Sequence, residues 1–208
     1  MLKLLLSVFT FSLLIPSARA GKEHNPPAKE TVPASIFARG ANELQLGIGY
    51  NFSSNSNGPL RPGLSDVSAA LRYGWMLNSP GGVGPFRGNC ELLLEAMGGA
   101  VTDGPGGAVV GGTLFFRYNF IHSAHWVPYF QVGLGAVYDD IYRQRPQRLL
   151  GESFEFIVQG ELGMRYCLNS HTALYSEAGY RHISNAGLAD RNYGLNSVVL
   201  NAGVSWFW

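Results

Sequence analysis

Charge is scarce in this sequence and nearly cancels, with 15 Lys and Arg against 14 Asp and Glu and a net charge of +1. So balanced a chain offers no electrostatic case for nucleic acid, which calls for a basic face. Cysteine is scarcer still. Cys90 and Cys167 would be free to pair in an oxidising compartment, yet the strand pattern described below puts them on non-adjacent strands with opposite facing, beyond the roughly 7 Å between Cα atoms that a bridge tolerates. There is no H-E-x-x-H or other dense set of metal ligands, so neither a metal nor an organic cofactor is implied. Past the first twenty residues no apolar run is long enough to cross a bilayer as a helix.

What the chain has in quantity is glycine and aromatics: 27 Gly, 12 Phe, 10 Tyr and 4 Trp. With few helical patterns, that composition points to β structure in one domain. The opening M-L-K-L-L-L-S-V-F-T-F-S-L-L-I-P-S-A-R-A reads as a cleaved secretory signal peptide over residues 1–20, with Ala18-Arg19-Ala20 as its small-residue site. No cysteine follows Ala20, which argues against a lipoprotein. Residues 21–40 are polar, proline-bearing and aperiodic, an expected flexible periplasmic lead-in or loosely docked segment; His24 within it reads as solvated.

From residue 41 to 208, turn signals divide the chain into eight runs of strand length, near 41–52, 66–78, 86–102, 107–120, 127–139, 153–168, 171–184 and 194–208. Short connections (Asn78–Pro85, Ile121–Trp126, Asn169-Ser170) alternate with longer ones (Ser53–Ser65, Asp140–Glu152, Asn185–Tyr193). Facing decides between a sandwich and a barrel. Phe154, Phe156, Val158, Leu162, Met164 and Tyr166 alternate with Glu155, Gln159, Glu161 and Arg165, and the other runs behave alike, setting Arg72, Arg117, Glu91, Glu95, Glu177 and Arg181 on the glycine-bearing face. Mixed charge makes a poor sandwich core, because unpaired buried charge is expensive. It makes a reasonable barrel lumen.

The fold class expected is therefore all-β, an eight-stranded antiparallel transmembrane β-barrel whose narrow interior is filled by side chains, with lumen charges paired as a plug and no room for a porin channel. Tyr73, Trp75, Tyr118, Trp126, Tyr138, Tyr166 and Tyr180 fall near strand ends, where aromatic girdles meet headgroups. The ending Val204-Ser-Trp-Phe-Trp208 resembles the C-terminal aromatic signal that outer-membrane barrels present to their insertion machinery. Short turns would be periplasmic and long loops extracellular.

On the last two strands, His182 and Ser184 share the parity of Leu174, Ala178 and Tyr180, and Asn196 that of Val198 and Leu200. Three polar side chains thus continue a lipid-facing surface at the extracellular rim. Two strand residues apart, His182 and Ser184 leave one face roughly 6–7 Å apart along the backbone, a workable reach for a base beside a hydroxyl nucleophile acting on an ester at the lipid surface. A plain interfacial role for these rim residues is the alternative.

The stretches Arg181-His182-Ile183-Ser184-Asn185-Ala186-Gly187-Leu188 and Asn192-Tyr193-Gly194-Leu195-Asn196-Ser197 resemble the lipid A 3-O-deacylase family, the PagL-type outer-membrane enzymes. The resemblance covers the last two strands well, and earlier regions agree in topology and texture. It implies a cofactor-free acyl hydrolase of lipopolysaccharide in the outer leaflet, with Ser184 as nucleophile, His182 as general base, and oxyanion-hole positions at Gly187 and Asn192. Asn185 would shape the loop. The triad's acid position falls on Asn196, an amide where the family has glutamate, and Asp190 is a second possible source of a carboxylate. Retention of serine and histidine favours the ester hydrolase; Asn196 favours a non-catalytic barrel, a degenerate, structural or adhesive relative.

Overall fold

The computed structural model describes residues 34–208 except 55 and 124. The expected signal peptide, His24 and most of the expected lead-in lie outside them. Eight strands form a closed antiparallel barrel in simple up-and-down order: β1 (Asn42–Ser53), β2 (Ser65–Met76), β3 (Gly88–Asp103), β4 (Ala108–Phe120), β5 (Trp126–Asp139), β6 (Phe154–Cys167), β7 (Thr172–Ser184) and β8 (Leu195–Phe207), with β8 returning to pair with β1. Every boundary lies within two residues of the sequence expectation. The strands end where Gly, Pro, Asn and Ser break the alternation, because these residues supply the turn conformations a pleated strand lacks.

Strict alternation gives the wall two chemistries. Outward residues are apolar and open, Ile48 being 70% and Leu162 72% exposed, a band that water would not tolerate over a whole surface. Aromatic clusters bound the band. Tyr73 packs edge-on against Trp75 and Trp208, and Trp126 packs tilted against Tyr166, at the rim holding the chain end; Tyr138, Phe154 and Phe156 pack edge-on at the opposite rim.

The lumen has three layers. In the middle, Arg72, Arg117, Arg165 and Arg181 pair with Glu43, Glu91, Glu95, Glu161, Glu177 and Asp66, all buried. At the chain-end rim Ile36, Phe37, Met76, Ile121, Val127 and Phe207 form an apolar stopper. Ile36 and Phe37 belong to a 3-10 turn, Ala34–Phe37, so the end of the expected loose lead-in is packed inside the barrel. At the loop rim Leu149 and Leu150 of the β5–β6 connection fold inward onto Leu64, Ile157, Ile183 and Leu195. A lumen void between Arg72, Glu95 and Arg181 measures about 20 Å³ and holds about one water at most. Cys90 faces out on β3 and Cys167 into the lumen on β6, and both are free.

Candidate active site

His182 and Asn196 are direct cross-strand partners in the β7–β8 ladder. Residues so placed have Cβ atoms about 4.5–5.5 Å apart, close enough for imidazole and amide to meet without bending the backbone. The His182 Nδ1 lies 2.7 Å from Asn196 Oδ1 and Nε2 lies 3.0 Å from Ser184 Oγ. A carbonyl oxygen only accepts, so Nδ1 carries the proton and Nε2 presents its lone pair to the serine hydroxyl. That is the tautomer a general base needs. Serine, histidine and asparagine are all half-buried on the outer wall, as the parity argument expects.

Beyond Ser184 the chain leaves the sheet through a loop organised by Asn185, which is fully buried. Its Oδ1 accepts from Gly187 N–H at 3.0 Å, its Nδ2 donates to Arg191 O at 3.1 Å, its backbone N–H donates to Asn192 Oδ1 at 3.0 Å, and its carbonyl accepts from Leu188 N–H at 3.0 Å. Such closure by an Asx side chain holds Ala186 at φ +53° and Gly187 at φ +85°. Of the two positions expected to form an oxyanion hole, Asn192 has its Oδ1 engaged and its Nδ2 without a partner among the described residues. The Gly187 N–H is occupied by Asn185 and serves an anion only after that bond is exchanged. Asp190 is exposed and is not the partner of His182, whose Nδ1 is taken by Asn196.

Gly194 is a site residue whose role the pattern alone did not reveal. It sits at φ +74°, and a Cβ there would lie 2.6 Å from His182 Cε1, so the imidazole occupies the space that any side chain would take. The loop above is knit to its neighbours. Tyr193 and Gly194 N–H donate to the carbonyls of Arg148 and Leu149, and Arg191 donates to the carbonyls of Gln147 and Tyr142. Asp140, at the start of the β5–β6 loop, accepts from Gly107 N–H at 2.7 Å, and that bond holds its carboxyl below the ordinary carboxylate range.

From His182 an apolar trough of about 710 Å³ runs along the outer wall between Tyr180, Val158, Leu134, Val132, Leu114 and Leu92. Gly160 forms part of its floor. A Cβ built there has Gln131 O, at 3.9 Å, as its nearest neighbour. The site therefore joins a polar catalytic-type triad to a greasy channel open to the surroundings. Among the described residues no group of three or more His, Cys, Asp or Glu could hold a metal ion.

A family model described as lipid A 3-O-deacylase (PagL) matches residues 65–205. Among solved structures, that of the outer membrane enzyme PagL superposes with a TM-score of 0.55 at 20% identity, over 77% of this chain and 97% of that one. Neisserial surface protein A (NspA) also gives 0.55, at 17% identity, over 81% and 99%. At such identities the superpositions establish a shared barrel fold and no more. No curated protein sequence matches the chain.

Proposed function

The chain belongs to the lipid A 3-O-deacylase (PagL) family, and on that premise we propose that it is an outer-membrane serine esterase removing the ester-linked acyl chain at the 3-position of lipid A. The observation that carries the reading is the His182 Nε2–Ser184 Oγ contact, 3.0 Å, on the apolar outer wall. A nucleophile there meets lipid, not the filled lumen. The exposed apolar band between aromatic clusters suits the outer membrane, and the loop rim would then face the outside.

In this mechanism His182 Nε2 takes the Ser184 proton as Oγ attacks the ester carbonyl. The oxyanion of the tetrahedral intermediate is met by Asn192 Nδ2, joined by Gly187 N–H once Asn185 releases it. As the intermediate collapses, the imidazolium protonates the departing sugar oxygen, which leaves as a hydroxyl, and a water activated by the same nitrogen then frees the acyl group. The trough from His182 would take the acyl chain. No step calls for a metal or organic cofactor.

Asn196 supplies orientation without charge. In serine proteases the acid-to-amide change costs about 10⁴ in turnover, part of it through the wrong tautomer. Here Oδ1 faces the ring, so the tautomer is right and only charge stabilisation of the imidazolium is missing. Asn196→Asp is isosteric and sets a carboxylate at the same place. Turnover by Asn196→Asp should rise by about 10- to 100-fold, the share left once orientation is discounted. Steady-state rates on purified lipid A would show this, and an unchanged or lower rate would mean that charge behind His182 is irrelevant here.

The direct test of the function is mass spectrometry of lipid A from membranes with and without the protein. Loss of one hydroxyacyl chain, tied to the protein's presence, is the expected result. Unchanged spectra with both the wild type and Asn196→Asp would favour the non-catalytic barrel that the amide at position 196 also suggests.

Chain-length preference should be set by the trough. Gly160→Leu has room in the fold but fills the floor, so kcat/KM on long acyl esters should fall about tenfold while short esters are spared, a few methylenes of lost burial being worth that much. Equal losses on both would place the acyl chain elsewhere.

A further inference from the structure

The loops beside Ser184 carry arginines for which the hydrolytic steps have no use. Arg61 of the β1–β2 loop has its guanidinium carbon 4.2 Å from the centre of the Tyr193 ring, and Arg148 of the β5–β6 loop has its own 5.7 Å from the same centre. Both are exposed, and neither forms an ion pair among the described residues, all of whose Arg–carboxylate pairs use the lumen arginines 72, 117, 165 and 181. Two like charges gathered on one ring repel each other, so their meeting needs a cause. The backbone supplies it: Arg148 N–H donates to Leu60 O at 2.9 Å and Tyr193 N–H to Arg148 O at 3.0 Å. The three loops are thereby locked together with the cations already in place. Among the described residues no carboxylate forms an ion pair with either.

Next to this pair lies a polar cleft of about 670 Å³ lined by Arg145, Arg148, Glu152, Leu188, Asp190 and Arg191. Counting Arg61, the four arginines outweigh Glu152 and Asp190. Of the four, Arg191 is already committed to the carbonyls of Gln147 and Tyr142, which leaves Arg61, Arg145 and Arg148 as donors to something else. Leu188, 72% exposed, adds an apolar edge. Planar, fixed guanidinium groups match the oxygens of a phosphate better than any other side chain. Tyr193 directly follows Asn192, so an anion held on this ring is anchored to the same short loop that faces the reacting carbonyl. The apolar trough that starts at His182, the polar cleft and the cation pair together describe a ligand with acyl chains, a sugar and a phosphate.

We propose that Arg61 and Arg148, stacked on Tyr193 and assisted by Arg145, bind a phosphate of a phosphorylated glycolipid headgroup and so set where its ester lies relative to Ser184. The second half of this statement depends on the esterase reading; the binding does not. The test uses the full chain in detergent carrying Ser184→Ala, so that nothing is consumed. Binding of a phosphorylated, acylated glucosamine disaccharide is compared with that of its dephosphorylated counterpart, with phosphatidylglycerol and inorganic phosphate as competitors.

The phosphorylated lipid should bind about 10- to 100-fold more tightly, the worth of charge-assisted contacts to one anion, and Arg61→Gln with Arg148→Gln should erase the difference. Heat-modifiable electrophoretic mobility would confirm that the variant barrel is folded. Equal binding of the two lipids, or a preference that survives the double substitution, overturns the proposal. Competition by phosphatidylglycerol or inorganic phosphate as effective as by the glycolipid also overturns it, assigning the arginines to any anion. Failure of the esterase reading would appear separately, as intact lipid A with the unsubstituted protein.

Discussion

Ser184→Ala should abolish ester cleavage, by at least about 10³-fold, while leaving the barrel as stable as before. The rate follows from chemistry: without Oγ, His182 Nε2 has no hydroxyl to activate, and nucleophile removal in triad enzymes costs between 10³ and 10⁶ depending on how much the rest of the triad contributes. The neutral Asn196 places this protein toward the lower end of that range, because less catalysis is there to lose. Stability is spared for a structural reason. Ser184 is on the outer wall, its side chain bonds only to His182 among the described residues, and its pairing with Phe156 across the β6–β7 ladder is made by the backbone. Mass spectrometry of lipid A would read the first effect and thermal unfolding in detergent micelles the second. Cleavage undiminished in the variant would remove Ser184 from the chemistry altogether.

The outward parity of His182, Ser184 and Asn196 was legible because a strand has period two, and one residue of slip would have sent all three into the lumen. The same parity exposed the glycine-and-charge face as the interior. What parity does not reveal is who meets whom across that interior. Arg72 and Glu177 are 105 residues apart in the chain, and their contact exists only because β8 closes on β1. Glu43 and Asp66 were missed for a related cause: each stands near a strand end, where one acidic residue in a short alternation reads as a turn. Phe37 precedes any periodic stretch, so nothing in its neighbourhood announces that it stoppers the barrel. Loop-to-loop bonding set the remaining limit. Tyr193 and Gly194 have their partners in the β5–β6 loop, Arg61 reaches Tyr193 from the β1–β2 loop, and sequence adjacency carries no trace of either.

Within the lumen, acids do not share the load equally, and this yields the largest expected change in stability. Glu177 accepts from Arg72 Nη1 at 2.7 and 2.8 Å, Arg117 Nη2 at 3.2 Å, Tyr129 Oη at 2.8 Å, Gln131 Nε2 at 3.3 Å and Asn201 Nδ2 at 3.2 Å. Glu161 accepts from Gln131 Nε2, lies 3.7 Å from Arg72 Nη2, and leaves its Oε1 without a partner among the described residues. Removing one partner of a buried, hydrogen-bonded ion pair costs about 3–5 kcal/mol, since the other charge stays behind. Glu177→Ala should therefore destabilise the barrel by about that much and perturb Arg72, Arg117 and Tyr129 together. Glu161→Gln should change stability by less than about 1 kcal/mol, because the amide keeps one oxygen for Arg72 and removes a carboxylate that was poorly satisfied. Relief of charge pushes the same way. Four arginines stand among six acids in this layer, so neutralising one acid moves the lumen toward balance, provided the acid lost is not the one on which the arginines converge. Guanidinium unfolding from lipid bilayers compares the two directly. Equal losses from both substitutions would mean that total lumen charge, rather than the convergence on Glu177, holds the middle of the barrel together.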